Sequence, residues 1–326
     1  MLVTGASEDD PRTLLAGDIH VLGVDVVCGE IVRAMRDEGV RAIVLKGPSF
    51  ADWLYTDGTR RRYGDVDLLV SPAQLEQANA VLSGRGFVPH TPGEHPLRDP
   101  TAGQPWVRER DDAVIDLHVR LHGVGAPAAI AWTELSADTE RLRVGGIKAE
   151  VLRPSARALH VALHAAQHGS RASKTIEDLR RALAVLDEDL WHEAAILAAH
   201  IQALPAFATG LRHLPEGGVL AARLALPDDI PPEITLRAGF RTPLALGLDA
   251  VARAHGPAAK LRLLGRLAIP SPSLMRARQP LARRGVIGLL LAYLWRLPYL
   301  VYWAGPALWA WMRARRQSHP HRPPAP

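Results

Sequence analysis

Asp65-Val66-Asp67 sets two acids two residues apart inside Tyr63-Gly64-Asp65-Val66-Asp67-Leu68-Leu69-Val70, a stretch otherwise suited to the interior of a β-sheet. Side chains of a strand alternate between its two faces, so Asp65 and Asp67 are expected on one face, with Val66 turned into the core. Two carboxylates so placed can grip the same one or two divalent cations. A third acid, Asp116, stands in a second apolar run, Ile115-Asp116-Leu117-His118, and could complete the cage. Oxygen-only ligands suit Mg²⁺, which keeps some of its water and borrows further ligands from substrate phosphates. Nucleotidyl transfer is the chemistry this pattern suggests. An isolated Asp-x-Asp is a weak signal, because acids also sit at strand ends for turn and capping reasons.

What surrounds the pair narrows the reading. Arg41 to Leu45 reads as a buried strand that ends at Lys46-Gly47-Pro48-Ser49, where glycine permits a tight turn and proline suits the first turn of a helix running through Tyr55. Such a strand-turn-helix places backbone N–H groups and a lysine at a helix N-terminus, an arrangement that favours phosphate. Upstream, Leu14 to Gly39 carries helical periodicity over one or two helices. Downstream, Ser71-Pro72 starts a helix to about Ser83, closed by Gly84 and Gly86. Two hairpins follow, Gln104–Arg110 with Ala113–Arg120 and Arg141–Val144 with Ile147–Leu152, turned by Asp111-Asp112 and Gly145-Gly146. The expected fold class is α+β: a small mixed sheet with helices in the first half, then a mainly helical domain punctuated by Pro205, Pro215, Pro227, Pro231 and Pro232. Boundaries are drawn at 1–152, 153–280 and 281–326.

The third of these segments is set apart by composition. Gly285 to Met312 is almost wholly apolar and holds Trp295, Trp303, Trp309 and Trp311, with arginines on both flanks and Arg296 and Pro298 within. Its length could span a bilayer, although an arginine near the centre is costly. A helical hairpin packed on the second domain, or a membrane-surface helix, is the favoured reading, which leaves peripheral membrane contact open. The chain from Ser318 is expected to be disordered. Over all 326 residues, 48% hydrophobic and 22% charged residues fit a soluble globular protein. The net charge of +5 and pI near 9.7 permit a phosphate-rich partner, but the arginines are scattered, and specific nucleic-acid binding is not expected. One cysteine, Cys28, excludes an internal disulfide and a cysteine-based zinc site. No secretory signal opens the sequence, so a cytoplasmic location is expected.

In their order, Leu45-Lys46-Gly47, Arg62-Tyr63-Gly64-Asp65-Val66-Asp67-Leu68-Leu69-Val70, a helix ending in Gly86-Phe87, and Val114-Ile115-Asp116-Leu117-His118 make the chain resemble the uncharacterised nucleotidyltransferase family of the DNA polymerase β-like superfamily, over about residues 21–186. The resemblance implies that Gly47 is the glycine of the triphosphate-holding turn. It implies that Asp65 and Asp67 bridge two Mg²⁺ ions (Mn²⁺ being the other candidate) and that Asp116 is the third carboxylate, together the catalytic set. Lys46-Gly47 replaces the superfamily's commoner Gly-Ser turn, a form the narrower family shares. Lys46, Ser49 and an arginine of the Arg60-Arg61-Arg62 run, Arg62 above all, are the candidates for contacts to the nucleotide triphosphate; the alternative for each is a solvated loop residue. His118 shares the face of Asp116 and can orient the acceptor or a carboxylate, or serve as a hydrogen-bonded structural histidine.

Beyond the sheet, Leu159 to Leu186 resembles the family's helical part, which implies that His164, Lys174 and Asp178 face the nucleotide. His160, His164 and His168 recur every four residues, a spacing that could also bind zinc, but the glutamate of a metalloprotease helix is lacking. The expected reaction is Mg²⁺-dependent transfer of a nucleoside monophosphate, or a phosphoryl group, from a nucleotide triphosphate to a hydroxyl of a small molecule, peptide or protein. The competing readings are a metal-dependent glycosyltransferase using its Asp-x-Asp pair on a sugar nucleotide, and a non-catalytic, membrane-associated nucleotide-binding module.

Overall fold

A computed structural model describes residues 11–90, 103–239 and 243–318. The chain divides into two compact units, one of residues 1–90, 103–121 and 126–157, the other of 91–102, 122–125 and 158–326.

In the first unit a long helix, α1 (Pro11–Asp37), leads into β1 (Ala42–Val44) and α2 (Pro48–Leu54). Then come β2 (Val66–Val70), a 3₁₀ turn at Pro72–Gln74, α3 (Leu75–Gly84), β3 (Val88–Pro89), β4 (Gln104–Arg108), β5 (Ala113–His118), α4 (Ala128–Ser136), β6 (Thr139–Val144) and β7 (Ile147–Leu152). The seven strands form one mixed sheet in the order β3-β4-β5-β2-β1-β7-β6. Here β2 runs antiparallel to β1 and parallel to β5, and β1 runs parallel to β7. The expected α+β class and both expected hairpins are present. Arg108 pairs with Ala113 across the Asp111-Asp112 turn, and Val144 pairs with Ile147 across two glycines with φ of 54° and 80°. Positive φ at both central residues is what a two-residue hairpin needs.

Alternation decides which face of the sheet is core. Val66, Leu68 and Val70 of β2, with Ile115 and Leu117 of β5, pack with Cys28, Ile31 and Met35 of α1 and Leu82 of α3. Asp67, Asp116 and His118 alternate with these residues and so belong to the opposite face. Each fully buried aliphatic side chain contributes about 1.5–3 kcal/mol, so the α1 side of the sheet fixes its register.

Two further contacts hold α1 in place. Arg108, buried on β4, donates from both terminal nitrogens to Glu30 of α1 at 2.8 and 3.0 Å, also bonds Asp111, and lies over the Phe87 ring. Fork-shaped pairing of this kind fixes orientation as well as charge. At the other end of the sheet α1 meets the β6–β7 turn backbone to backbone: a Cβ on Gly29 would lie 2.6 Å from the carbonyl oxygen of Gly145. The expectation of one or two helices over Leu14 to Gly39 resolves to a single one. It ends at Gly39, with φ 74°, where the Val40 N–H donates to Met35 and closes the last turn.

The second unit is helical: α5 (Pro154–His168, its first turn in the first unit), α6 (Ser173–Val185), α7 (Glu188–His200), α8 (Leu204–Leu211), α9 (Pro215–Arg223), α10 (Pro232–Gly239), α11 (Pro243–Arg253), α12 (Pro257–Ala268), α13 (Pro272–Arg278) and α14 (Gly285–Gln317). Proline opens α8 through α13 at the first or second residue, where its missing N–H costs nothing. Trp191 and Phe207 pack ring to ring in the interior between α7 and α8. Arg212 ties the end of α8 to the carbonyls of Leu226 and Pro227. The aromatic stretch expected near the end of the chain is one helix, α14, with Pro298 and Pro306 inside it. Of the segment expected to be disordered, 319–326 lie outside the described residues.

Two outcomes are expected from this packing. Gly29→Ala should cost about 1–3 kcal/mol in urea unfolding, because backbone rather than a mobile side chain must give way. Cys28, fully buried, has its thiol pushed up to about 12 by burial and by nearby Asp25. It should take up no aromatic disulfide reagent in the native protein and one equivalent in denaturant.

Candidate active site

Parallel pairing of β2 with β5 sets Asp67 opposite Asp116 and Leu69 opposite His118, so two acids and a histidine converge on one face near the centre of the sheet. Their ligand atoms lie within 4.8 Å of one another, the one such group of three or more among the described residues. Asp67 is buried. Its Oδ1 takes Lys46 Nζ at 2.7 Å and His118 Nε2 at 3.2 Å. An ionised carboxylate only accepts, so Nε2 donates to it, and Nδ1, also buried, has no partner among the described residues. Gly103 (φ 121°) lies against this ring, and a Cβ there would be 2.7 Å from Cε1.

Charge balance here is uneven. Burial pushes the Asp67 carboxyl up, but the Lys46 ammonium and the His118 hydrogen bond overcome it and hold the group well below the usual carboxylate range. Burial pulls Lys46 down, yet Asp67, with Asp65 and Asp116 beyond it, raises it above its ordinary value. Asp116 is raised: burial leads, and the like charges of Asp67 and Asp65 add to it against the opposing pull of His118 and Lys46. Three carboxylates thus face one ammonium and one imidazole, and a bound cation would relieve the excess. Asp65 sits at the bend just ahead of β2, half-buried. It acts on Lys46 and Asp116 through charge and is not one of the three converging residues; His118 takes that place.

Lys46 reaches Asp67 because β1 lies beside β2: the Leu45 N–H donates to the Asp67 carbonyl at 3.0 Å. The next residue, Gly47, has φ 55°, and a Cβ on it would lie 3.3 Å from the Tyr63 ring. Glycine is therefore required twice over, by conformation and by space. It precedes α2, whose Pro48 takes the first turn. The Ser49 side chain is completely buried, and its Oγ has no partner among the described residues. An orphan hydroxyl behind a Lys-Gly turn costs stability and is suited to a ligand oxygen.

The arginine run divides three ways. Arg60 pairs with Asp18 of α1 at 2.6 Å, and the Arg62 guanidinium lies against Gly17 of α1. Arg61 is buried over the Phe50 ring of α2. Sequence reasoning gave Tyr63 no role. Its hydroxyl donates to Asp25 of α1 at 2.7 Å while its ring backs Gly47, so it joins helix and turn. An aromatic residue between an arginine run and Gly-Asp-x-Asp was the available signal.

In the second unit, His160, His164 and His168 form a ladder along α5, with ring centroids 6.2 and 4.6 Å apart. Their nitrogens do not converge as a zinc set among the described residues. Asp178 is buried on α6, and Lys174 is exposed one turn earlier.

Residues 23–216 match the family model described as uncharacterised nucleotidyltransferase, more than half of the chain, and the chain belongs to that family. The match spans β1 to β7 with the Lys46, Asp67 and Asp116 positions and continues into α9. It supports nucleotidyl transfer as the reaction class and a nucleotide triphosphate as the donor. No curated protein matches the chain.

Lys46→Met should leave Asp67 buried without its principal cation and cost about 3–5 kcal/mol at neutral pH. In the wild type the Asp67 carboxyl lies below its ordinary 3.8, so its contribution is complete above that pH and is lost as the pH falls through the native value. In the variant only His118 is left to oppose burial and the carboxyl rises, so the deficit against wild type should shrink as the buffer is made acidic. Denaturant titrations from neutral to mildly acid pH check both the size and the direction.

Proposed function

We propose that this protein is a divalent-metal-dependent nucleotidyltransferase that moves a nucleoside monophosphate from a nucleotide triphosphate to a hydroxyl on a small molecule, peptide or protein. The observation carrying this reading is the convergence of Asp67, Asp116 and His118 within 4.8 Å, beside Lys46 and the Gly47 turn, in a chain of this family. Asp65, Asp67 and Asp116 are the proposed holders of Mg²⁺, supported by the local excess of carboxylate charge. When bound, the metal ions would stabilise charge on the attacking oxygen, the α-phosphoryl group and the departing pyrophosphate.

The chain's own residues supply binding and orientation. The Gly47 turn opens α2, and the Ser49 hydroxyl offers a donor with no competing partner among the described residues. Lys46, already held among three carboxylates, is in reach of a phosphate oxygen brought to the same face. Asp116, with its carboxyl raised, is the group suited to accept the acceptor's proton as the new P–O bond forms and the bond to pyrophosphate breaks. His118 fixes the Asp67 carboxylate that it bonds. Arg61, buried beside α2, braces the helix behind the turn. Residues 1–152 are the catalytic region and 153–280 a helical region, acting together on the cytoplasmic nucleotide pool.

Calorimetry with each of the four triphosphates, with and without Mg²⁺, tests this. Metal-dependent binding of at least one is expected in the wild type. Asp67→Asn and Asp116→Asn should each weaken it by on the order of tenfold or more while circular dichroism stays native. Folded wild type that binds no triphosphate with Mg²⁺ or Mn²⁺ would sink the proposal.

A further inference from the structure

Charge is divided unevenly along this chain. Residues 250–326 hold 13 of the 39 Lys+Arg and none of the 34 Asp+Glu, so this stretch carries +13 and the remainder −8. Four of the eight tryptophans lie in the same stretch, all on α14. Asymmetry of this size, joined to aromatic and apolar exposure, marks an anionic surface as the partner.

Helix α14 has two unlike sides. On one, Ala307, Ala310 and Ala314 pack against Leu236 of α10 and Ala245 of α11, and Ala292 packs against Met275 and Ala282. Trp311 Nε1 donates to Asp249 of α11 at 3.3 Å, and Tyr293 donates to the Pro270 carbonyl at 2.6 Å. The other side is open: Ile287, Leu290, Leu294, Trp295, Val301 and Tyr302 are 59–78% exposed. Soluble monomers rarely leave so long an apolar face uncovered. From Val286 to Met312, at about 1.5 Å per residue, it runs for about 40 Å.

Helix α12 adds to the surface. Its Leu261, 72% exposed, stands between Lys260 and Arg262, with Leu264 and Arg266 one turn on, also exposed. Arg296, the charge in the middle of the apolar run, turns back to α12: its guanidinium donates to the Leu267 and Ala268 carbonyls at 2.7 and 3.1 Å. Thus the arginine that looks out of place in the sequence satisfies the C-terminal carbonyls of a neighbouring helix and couples α12 to α14.

We infer that α12 and α14 form a platform that docks on an anionic lipid bilayer, with α14 lying along the surface. The helix is long and apolar enough to cross a membrane. Spanning would carry its packed side with it into the lipid, including Asp249 and the Arg253–Glu233 ion pair. Buried charge of this kind is expensive there, whereas surface docking leaves every packed contact in place. A second copy is the poorer occupant, because each would bring the same +13.

The test uses the full chain in flotation with phosphatidylcholine vesicles and with vesicles containing phosphatidylglycerol. Binding to the anionic vesicles should be on the order of tenfold or more tighter, and should fall in high salt. It should be lost in Trp295→Glu/Tyr302→Glu, and reduced about tenfold in Lys260→Glu/Arg262→Glu, with helix content and triphosphate binding unchanged. Native protein that floats with neither vesicle overturns the inference, as does equal binding to both. Resistance to both salt and alkaline carbonate would mean a true span. A concentration-dependent dimer abolished by Trp295→Glu/Tyr302→Glu, without vesicle binding, would mean self-association. Neither of these last results is compatible with surface docking, and none of these outcomes bears on the nucleotide site.

Discussion

An ionised carboxylate buried at the centre of a sheet is tolerable only with a cation held against it, and the pairing of Asp67 with Lys46 meets that demand. Much of the first unit serves the pairing. The strand order puts β1 beside β2, so the lysine that ends one strand arrives at the acid in the next. Gly47 then turns the chain away within one residue, and α2 starts there. On the far face, packing of α1 and α3 against Val66, Leu68 and Val70 leaves Asp67 no alternative direction. Hydrophobic burial on one side of β2 thus enforces an electrostatically expensive arrangement on the other.

The residues that meet at Asp67 were legible because each interrupts or ends an apolar run. Asp67, Asp116 and Lys46 stand out against Val-x-Leu-Leu-Val, Val-Ile-x-Leu and Ile-Val-Leu, and period-two alternation was enough to face them away from the core. The hairpins were legible from their turn residues. Pairing between distant strands was not: nothing local in Asp67 and Asp116 says that β2 and β5 lie side by side in register. For the same reason the convergence of His118 on Asp67 could not be read, while Asp65, at the bend before β2, acts on the group through charge. The arginine run was opaque too, since three identical neighbours go to Asp18, Phe50 and Gly17 according to tertiary contacts alone. Pattern placed Arg296 as a defect in an apolar helix; only the fold supplies the carbonyls that it satisfies.

Several side chains outside the converging group hold its surroundings together. Tyr63 joins Asp25 of α1 to the back of the Gly47 turn. Arg108 clamps Glu30 to the β4–β5 hairpin, and Arg41 does similar work at the opposite end of the sheet through Glu150 and the Ser136 carbonyl. Burial would lift the Glu150 carboxyl, but the bonds from Arg41 and Thr139 outweigh it and hold the group below its ordinary value. The long first helix is braced against both flanks of the sheet, by Arg108 at one and at the other by its own Arg36, which donates to the Lys148 carbonyl of β7 at 2.6 Å, with the Asp67 position between them.

The register of β2 against β5 has a consequence for what can vary at this position. Neighbouring strands lie about 4.8 Å apart whatever their sequence, so the gap between the Asp67 and Asp116 backbones is a property of the hydrogen-bond ladder and not of the side chains. The sheet works as a ruler. Mutational drift in the surrounding loops and helices can reshape what is admitted to this face without altering the carboxylate spacing, while lengthening either acid by one methylene moves its oxygens off the mark. A face built this way can change what it admits and keep the separation of its two acids.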